Sequence, residues 1–166
     1  MSDPLIRKAR SGDEPAIHEA HMRSIREVCV KDHGEDEVRG WGYRPLGNRW
    51  VDFIKQGCVW VVELDGVVQG MACVTPIEKD GEKIAYIKSL YLTPDVLGKG
   101  VGKKMAQIML DAARGFGVKK VELESTITAH EFYRSLGFVD SGPMNRRPIG
   151  GHPVTCFPMT LHLSIT

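Results

Sequence analysis

The sequence predicts a mixed α/β (α+β) fold: one mixed sheet with its connecting helices packed on the faces. Three observations carry this. Two β-rich runs, Cys58 to Leu64 and Val67 to Thr75, are joined by Asp65-Gly66, a hairpin turn that needs positive φ. The next strand, Lys83 to Leu92, leads into a glycine-rich segment and then into apolar residues at helical spacing. From there to the end, strand and helix patterns alternate.

Leu5 to Arg10 reads as the first strand. Ser11, with Glu14 three residues on, has the form of a capping box, which satisfies backbone donors freed at a helix start. The helix should run to about Arg23, with Ile17, Ala20 and Ile25 on its inner side. Lys31 to Gly57 is irregular, with glycines, charges and the aromatics Trp41, Tyr43 and Trp50. A short helix is predicted there around Trp50 to Lys55. Lys79-Asp80-Gly81 turns the chain into Lys83 to Leu92, apolar on both sides and therefore central in a sheet. Val101, Met105, Ile108, Ala112 and Phe116 stripe a helix from Gly100 to Phe116, which Gly117 ends. Lys119 to Glu124 is a strand. Ala129, Phe132, Tyr133 and Leu136 stripe a short helix stopped by Gly137. Phe138 to Ser141 and Thr155 to Leu163 are closing strands, separated by a Pro/Gly/Arg loop. No repeat or long linker interrupts this order, so one domain is expected over residues 1–166.

The 166 residues suit a single core of useful size, and the net charge of +1 lacks the basic field expected of a nucleic-acid partner. The N-terminal residues hold no apolar stretch of signal-peptide type, and no later run approaches membrane-spanning length. A cytoplasmic protein with no membrane partner is the expectation. The four cysteines (Cys29, Cys58, Cys73, Cys156) are scattered, so free thiols are expected and a covalent route through cysteine is disfavoured. His18 and His21 stand at i, i+3, but companions at ligand spacing are missing and no metal is expected.

The segment Leu92-Thr93-Pro94-Asp95-Val96-Leu97-Gly98-Lys99-Gly100-Val101-Gly102-Lys103-Lys104 carries most of the chemistry. A strand ends near Leu92 and a helix begins at the glycines. Amide N–H groups at a helix start point outward unpaired, with the positive end of the dipole behind them, and glycine lets a ligand come close. Such a turn favours a phosphate or pyrophosphate, and Lys99, Lys103 and Lys104 add charge. A P-loop is excluded, because Leu97 stands where its first glycine belongs and Lys104 where its Ser or Thr belongs. The spacing GxGxG also departs from the GxGxxG of dinucleotide folds. A glycine-rich helix start that binds nothing is the bland alternative.

LYLTPDVLGKGVGKKM resembles the pyrophosphate signature of the GNAT superfamily of N-acetyltransferases, V-x-P-x-x-(Arg/Gln)-x-x-G-x-(Gly/Ala). Further on, AHEFYRSLGF, from Ala129 to Phe138, resembles that superfamily's A-x-x-F-Y-x-x-L-G-F. The resemblance implies a GNAT-like acyl-CoA N-acyltransferase fold, a mostly antiparallel splayed sheet with helices on both faces. It implies acetyl-CoA as co-substrate and transfer of the acetyl group to an amine, small molecule or peptide, by direct attack. Acetyl-pantetheine would lie between the strand ending at Leu92 and the strand Lys119 to Glu124. Pyrophosphate binding falls to the amides of Leu97, Gly98, Lys99, Gly100, Val101 and Gly102, with Lys103 nearby. The backbone of Leu90 and Leu92 would pair with pantetheine, and Tyr133 would be the general acid. A homodimer is compatible with this reading.

Three positions depart from the family pattern: Leu97 replaces Arg or Gln, Thr126 stands where many members carry Asn, and Lys88 where several carry a Glu base. The base is therefore open among Glu63, His33 and a water chain. The acid-rich run Lys31 to Glu37, with Trp41 and Tyr43 after it, suggests a cationic acceptor guided by Asp32, Glu35, Asp36 and Glu37. Arg146, Arg147 and His152 either border the acceptor pocket or face water. A non-catalytic coenzyme A-binding regulatory module and a transferase of longer acyl groups are the alternatives.

Overall fold

The computed structural model describes residues 2–164. Its strands are β1 (Leu5–Lys8), β2 (Val59–Leu64), β3 (Val67–Lys79), β4 (Glu82–Leu92), β5 (Lys120–Ser125), β6 (Val139–Asp140), β7 (Asn145–Ile149) and β8 (His152–His162). The helices are α1 (Glu14–Ser24), α2 (Val30–His33), α3 (Glu35–Trp41), α4 (Val51–Lys55), α5 (Val101–Gly115) and α6 (His130–Ser135). The sheet runs β1-β2-β3-β4-β5-β8-β6, with β7 paired to β8. Among the described residues no helix is long and apolar enough to cross a membrane.

Two hairpins set the register of the first half. Asp65 and Gly66, at φ 52° and 81°, and Asp80 and Gly81, at 52° and 79°, both place two left-handed residues in the turn, the condition that twisted antiparallel strands favour. Among the described residues only β4 and β5 pair in parallel, and only from Ala85–Val121 to Ile87–Leu123. Beyond that point β4 stays with β3 as far as Gly70–Leu92, while β5 stays with β8 as far as Ser125–Phe157. The two central strands therefore part. A bulge sharpens the bend: Cys73 faces Ser89 and Val74 faces Ile87, which leaves Lys88 as an extra residue on β4.

The sheet is covered on both faces. Val101, Met105, Met109 and Ala113 of α5 pack with Val74, Ala85 and Val121, all nearly inaccessible. Ile17 of α1 and Trp50 with Ile54 around α4 pack with Val59, Val61 and Met71 of the sheet in a second cluster. Full burial of a side chain the size of methionine stabilises by about 1.5–3 kcal/mol relative to exposure, so these helices are held chiefly by their apolar stripes.

Three local expectations need correction. Ser11 does not cap α1. The cap position is Asp13, and Glu14 stands at the first helical residue ahead of Pro15, where its carboxylate accepts the Gly12 N–H at 2.8 Å. The chain does not leave the helix at Arg23: it continues through a π-helical turn, Ile25–Cys29, into α2. The Pro/Gly/Arg loop is largely β7, hairpinned onto β8 around Gly150-Gly151.

Candidate active site

Where β4 and β5 part, a cavity of about 350 Å³ opens. Leu90, Tyr91 and Leu92 form one wall, Thr126, Ala129 and Phe132 the opposite one, and Ser24 at the end of α1 with Val28 and Cys29 of the π turn close a third side. π-helical turns recur at functional sites because they break the regular helix face. At the outer end stand Leu97, Gly98, Gly100, Val101, Gly102 and Lys103.

The glycine turn has the form of an anion cradle. Gly98 and Gly100 both have φ 75°, and Gly100, left-handed, is the cap residue of α5. The first hydrogen bond at this end of α5 is Lys104 N–H to the Gly100 carbonyl at 3.3 Å. No side chain caps the helix start, and its first turn holds no acidic residue. The turn's amides are thus left to a ligand. Of the residues nominated from sequence, Leu90, Leu92, Leu97, Gly98, Gly100, Val101, Gly102 and Lys103 line this cavity. Lys99, between two left-handed glycines, is exposed and stands outside its lining.

Tyr133 lies deeper. It is 5% exposed, packed edge-on against Phe132 and Phe138, and burial raises its pKa, so the phenol stays protonated. It borders a narrow gap of about 20 Å³ between the parted strands, shared with Lys88, Ser89, Leu90, Glu124 and Thr126. Leu90, Tyr91, Thr126 and Ala129 belong to both spaces, so the gap continues the inner end of the larger cavity.

Neither base nominated from sequence is free for that role. Glu63 sits on β2, next to the edge strand, opposite Leu5 and 3.3 Å from Arg7, and lines none of these spaces. The His33 side chain is fully buried with both nitrogens engaged: Nε2 accepts the Ile127 N–H at 3.1 Å, so Nδ1–H donates to Glu37 at 2.6 Å. Glu37 in turn accepts the Thr155 N–H and hydroxyl at 2.7 and 3.0 Å. Burial opposes ionisation of Glu37, but these hydrogen bonds outweigh it and its pKa is lowered. The acid-rich run is therefore in part a latch joining α2 and α3 to β8 and the segment after β5. Glu124, not singled out in the sequence because it looks like a solvated strand acid beside lysines, borders the gap where β4 and β5 part.

The thiols are poor nucleophiles. Burial raises Cys29, Cys73 and Cys156 to about 12 and raises Cys58 as well. Among the described residues no three of His, Cys, Asp and Glu come together as metal ligands, and His18 instead bonds the Arg44 carbonyl at 2.9 Å.

The description of the Acetyltransferase (GNAT) family matches residues 17–138, from α1 through α6. The chain belongs to that family. It is 30% identical over 141 residues to the uncharacterized N-acetyltransferase YjgM of Escherichia coli (strain K12), with 81% of each chain covered. Its fold is similar to that of the GCN5-related N-acetyltransferase of Rhodopseudomonas palustris, at TM-score 0.76 and 24% identity over 98% of each chain. It is similar also to the acetyltransferase yncA of Salmonella typhimurium, solved with its cofactor acetyl-CoA, at TM-score 0.68 and 24% identity over 99% and 96% of the two chains. The chain is accordingly an acetyl-CoA-dependent N-acetyltransferase with the mostly antiparallel, splayed GNAT sheet.

On the other side of the Lys88 bulge lies a further cavity of about 340 Å³, bordered by Trp41, Tyr86, Ser89 and Tyr91 and by Arg44, Arg49, Lys88 and Arg147. Asp32, Glu35, Asp36 and Glu37, expected from sequence to guide a cationic acceptor, do not line this cavity. Asp32 accepts from the Thr128 hydroxyl at 2.8 Å, Glu37 is in the latch, and Glu35 and Asp36 are exposed. Trp41 lines it, whereas Tyr43 is exposed and stacks on Arg26. Of the hairpin residues Arg147 borders it; Arg146 lies 3.7 Å from Glu37 instead.

Proposed function

We propose that the chain carries an amine's acetylation in the cleft between β4 and β5, with Tyr133 as general acid and Glu124 as general base, directly or through a water. One observation carries this: the parting beyond Ile87 and Leu123 opens one continuous space, from an uncapped helix start to a buried, protonated phenol. The residues present fit acetyl-CoA, with donors at one end for a pyrophosphate and mostly apolar walls for the pantetheine arm. Leu97, Gly98, Gly100, Val101 and Gly102 would hold the pyrophosphate with Lys103, and Leu90 and Leu92 the arm. The thioester supplies an activated acetyl carbonyl.

The amine nitrogen gives its lone pair to the carbonyl carbon, a C–N bond forms, the C–S bond breaks, and the electron pair leaves on sulfur. Glu124 takes the proton that the nitrogen sheds. Tyr133 gives one to the sulfur and recovers it from solvent. With every thiol held protonated by burial, direct attack is favoured over an acetyl-cysteine route.

The test is release of free coenzyme A thiol across an amine panel with the wild type and Glu124→Gln. Amine-dependent release that falls about 10²-fold or more in Glu124→Gln, with unchanged acetyl-CoA affinity, is expected. Coenzyme A binding with no amine-dependent release from any acceptor would favour a regulatory module instead.

A further inference from the structure

We propose that the cavity beside the Lys88 bulge is a carboxylate-recognition site, and that the acceptor is a small amine with a carboxylate close to its nitrogen, of the α-amino acid class. This rests on the acetyl-transfer reading above and specifies its second substrate.

The lining carries four cationic side chains, Arg44, Arg49, Lys88 and Arg147, and no Asp or Glu. Among the described residues none of the four is in a salt bridge. Their recorded partners are neutral: Arg44 Nε donates to the Trp41 carbonyl at 2.9 Å, Arg49 Nη2 to the Pro45 carbonyl at 3.2 Å, and Arg147 Nη1 to the Tyr86 hydroxyl at 3.1 Å. Lys88 Nζ lies 5.4 Å from the centre of the Phe53 ring. Elsewhere on the molecule, Arg7, Arg23, Arg26, Arg114 and Arg134 all pair with carboxylates. The nearest carboxylate is Glu124, which borders the adjoining gap and acts on Arg147 from there.

Unmet donors point the same way. Arg49 Nη1 and Trp50 Nε1 are buried without a hydrogen-bond partner, and both residues line the cavity. A buried polar group without a partner is destabilising, the more so when charged, and a carboxylate relieves it in the planar, paired geometry that guanidinium groups favour. Burial, and then the neighbouring Arg49, depress Arg44 to about 10, and burial lowers Arg49 too. The two guanidinium groups are thus held together at a cost that an anion would offset.

The location ties the site to the chemistry. Lys88, Ser89 and Tyr91 border both this cavity and the gap that holds Tyr133 and Glu124. A molecule with its carboxylate on Arg44 and Arg49 can present an adjacent amine across Ser89 towards the thioester. The same field repels polyamines, and so excludes them as well as selecting acids.

Two measurements test this. In the first, free L-amino acids are compared as acceptors with their carboxamides, a polyamine and an unrelated peptide N-terminus, in the wild type, Arg49→Gln and, as a surface control outside every cavity, Arg114→Gln. We expect kcat/KM for the preferred amino acid to exceed that for its amide by about 10-fold or more, and Arg49→Gln to erase most of that ratio while leaving the KM for acetyl-CoA unchanged. The second needs no turnover: thermal shifts are recorded with the matching N-acetyl amino acids and their carboxamides. Stabilisation by the acids alone, lost in Arg49→Gln, supports the site even if the catalytic reading fails. Equal rates and equal shifts for acid and amide, or preference for the polyamine or the peptide, would overturn it.

Discussion

At the scale of single residues, Tyr133 carries the catalytic proposal. Its ring packs between Phe132 and Phe138 while its edge borders the gap between the parted strands. Tyr133→Phe keeps the ring and removes the transferable proton, so kcat should fall by about 10²–10⁴, with acetyl-CoA affinity and melting temperature little changed. A core role alone would produce the reverse, a loss of stability with near-normal kcat. As a candidate, Tyr133 is legible in the sequence because AHEFYRSLGF is a local pattern. Glu124 and the Arg44–Arg49 pair were not, since each takes its meaning from residues far along the chain. His33 misled for the same reason: a histidine in an acidic run resembles a base until Ile127 and Glu37 are seen to occupy both nitrogens.

At the scale of elements, the glycine turn and the start of α5 form one device. The left-handed Gly100 turns the chain so that α5 begins uncapped at the mouth of the cleft. A Cβ at Gly100 would meet nothing within 4 Å, so alanine there costs backbone strain, about 1–2 kcal/mol, without a clash. Gly100→Glu bears the same strain and adds a carboxylate where the pyrophosphate is proposed to sit. By calorimetric titration, Gly100→Ala should retain most of the acetyl-CoA affinity and Gly100→Glu should lose it while remaining folded. Equal affinity in the two variants would remove the pyrophosphate from this turn. The hairpins were legible from Asp65-Gly66 and Asp80-Gly81 because their φ requirement is local. The π turn was not, since Arg26 and Glu27 interrupt the apolar spacing that would mark a continuing helix, and β7 was hidden by its proline and arginines.

At the scale of the whole molecule, the proposed function rests on one topological event, the separation of two parallel central strands. β4 keeps its partner β3 and bulges at Lys88, β5 keeps β8, and the wedge between them joins the proposed cofactor cavity, the Tyr133 gap and the proposed acceptor cavity. The order of elements could be read from periodicity, but the parting could not, because nothing local in Lys83 to Leu92 records where its pairing with Lys120–Ser125 stops. The latch of His33, Glu37 and Thr155 then ties the helical segment over the cleft to the far half of the sheet. Hydrogen–deuterium exchange with and without saturating acetyl-CoA tests the central claim most directly. Slowed exchange at the amides of Leu90 and Leu92 and of residues 97–103, with the β7–β8 hairpin unchanged, is the predicted result. Saturation confirmed by calorimetry, with no slowing at those amides and protection elsewhere, would contradict it.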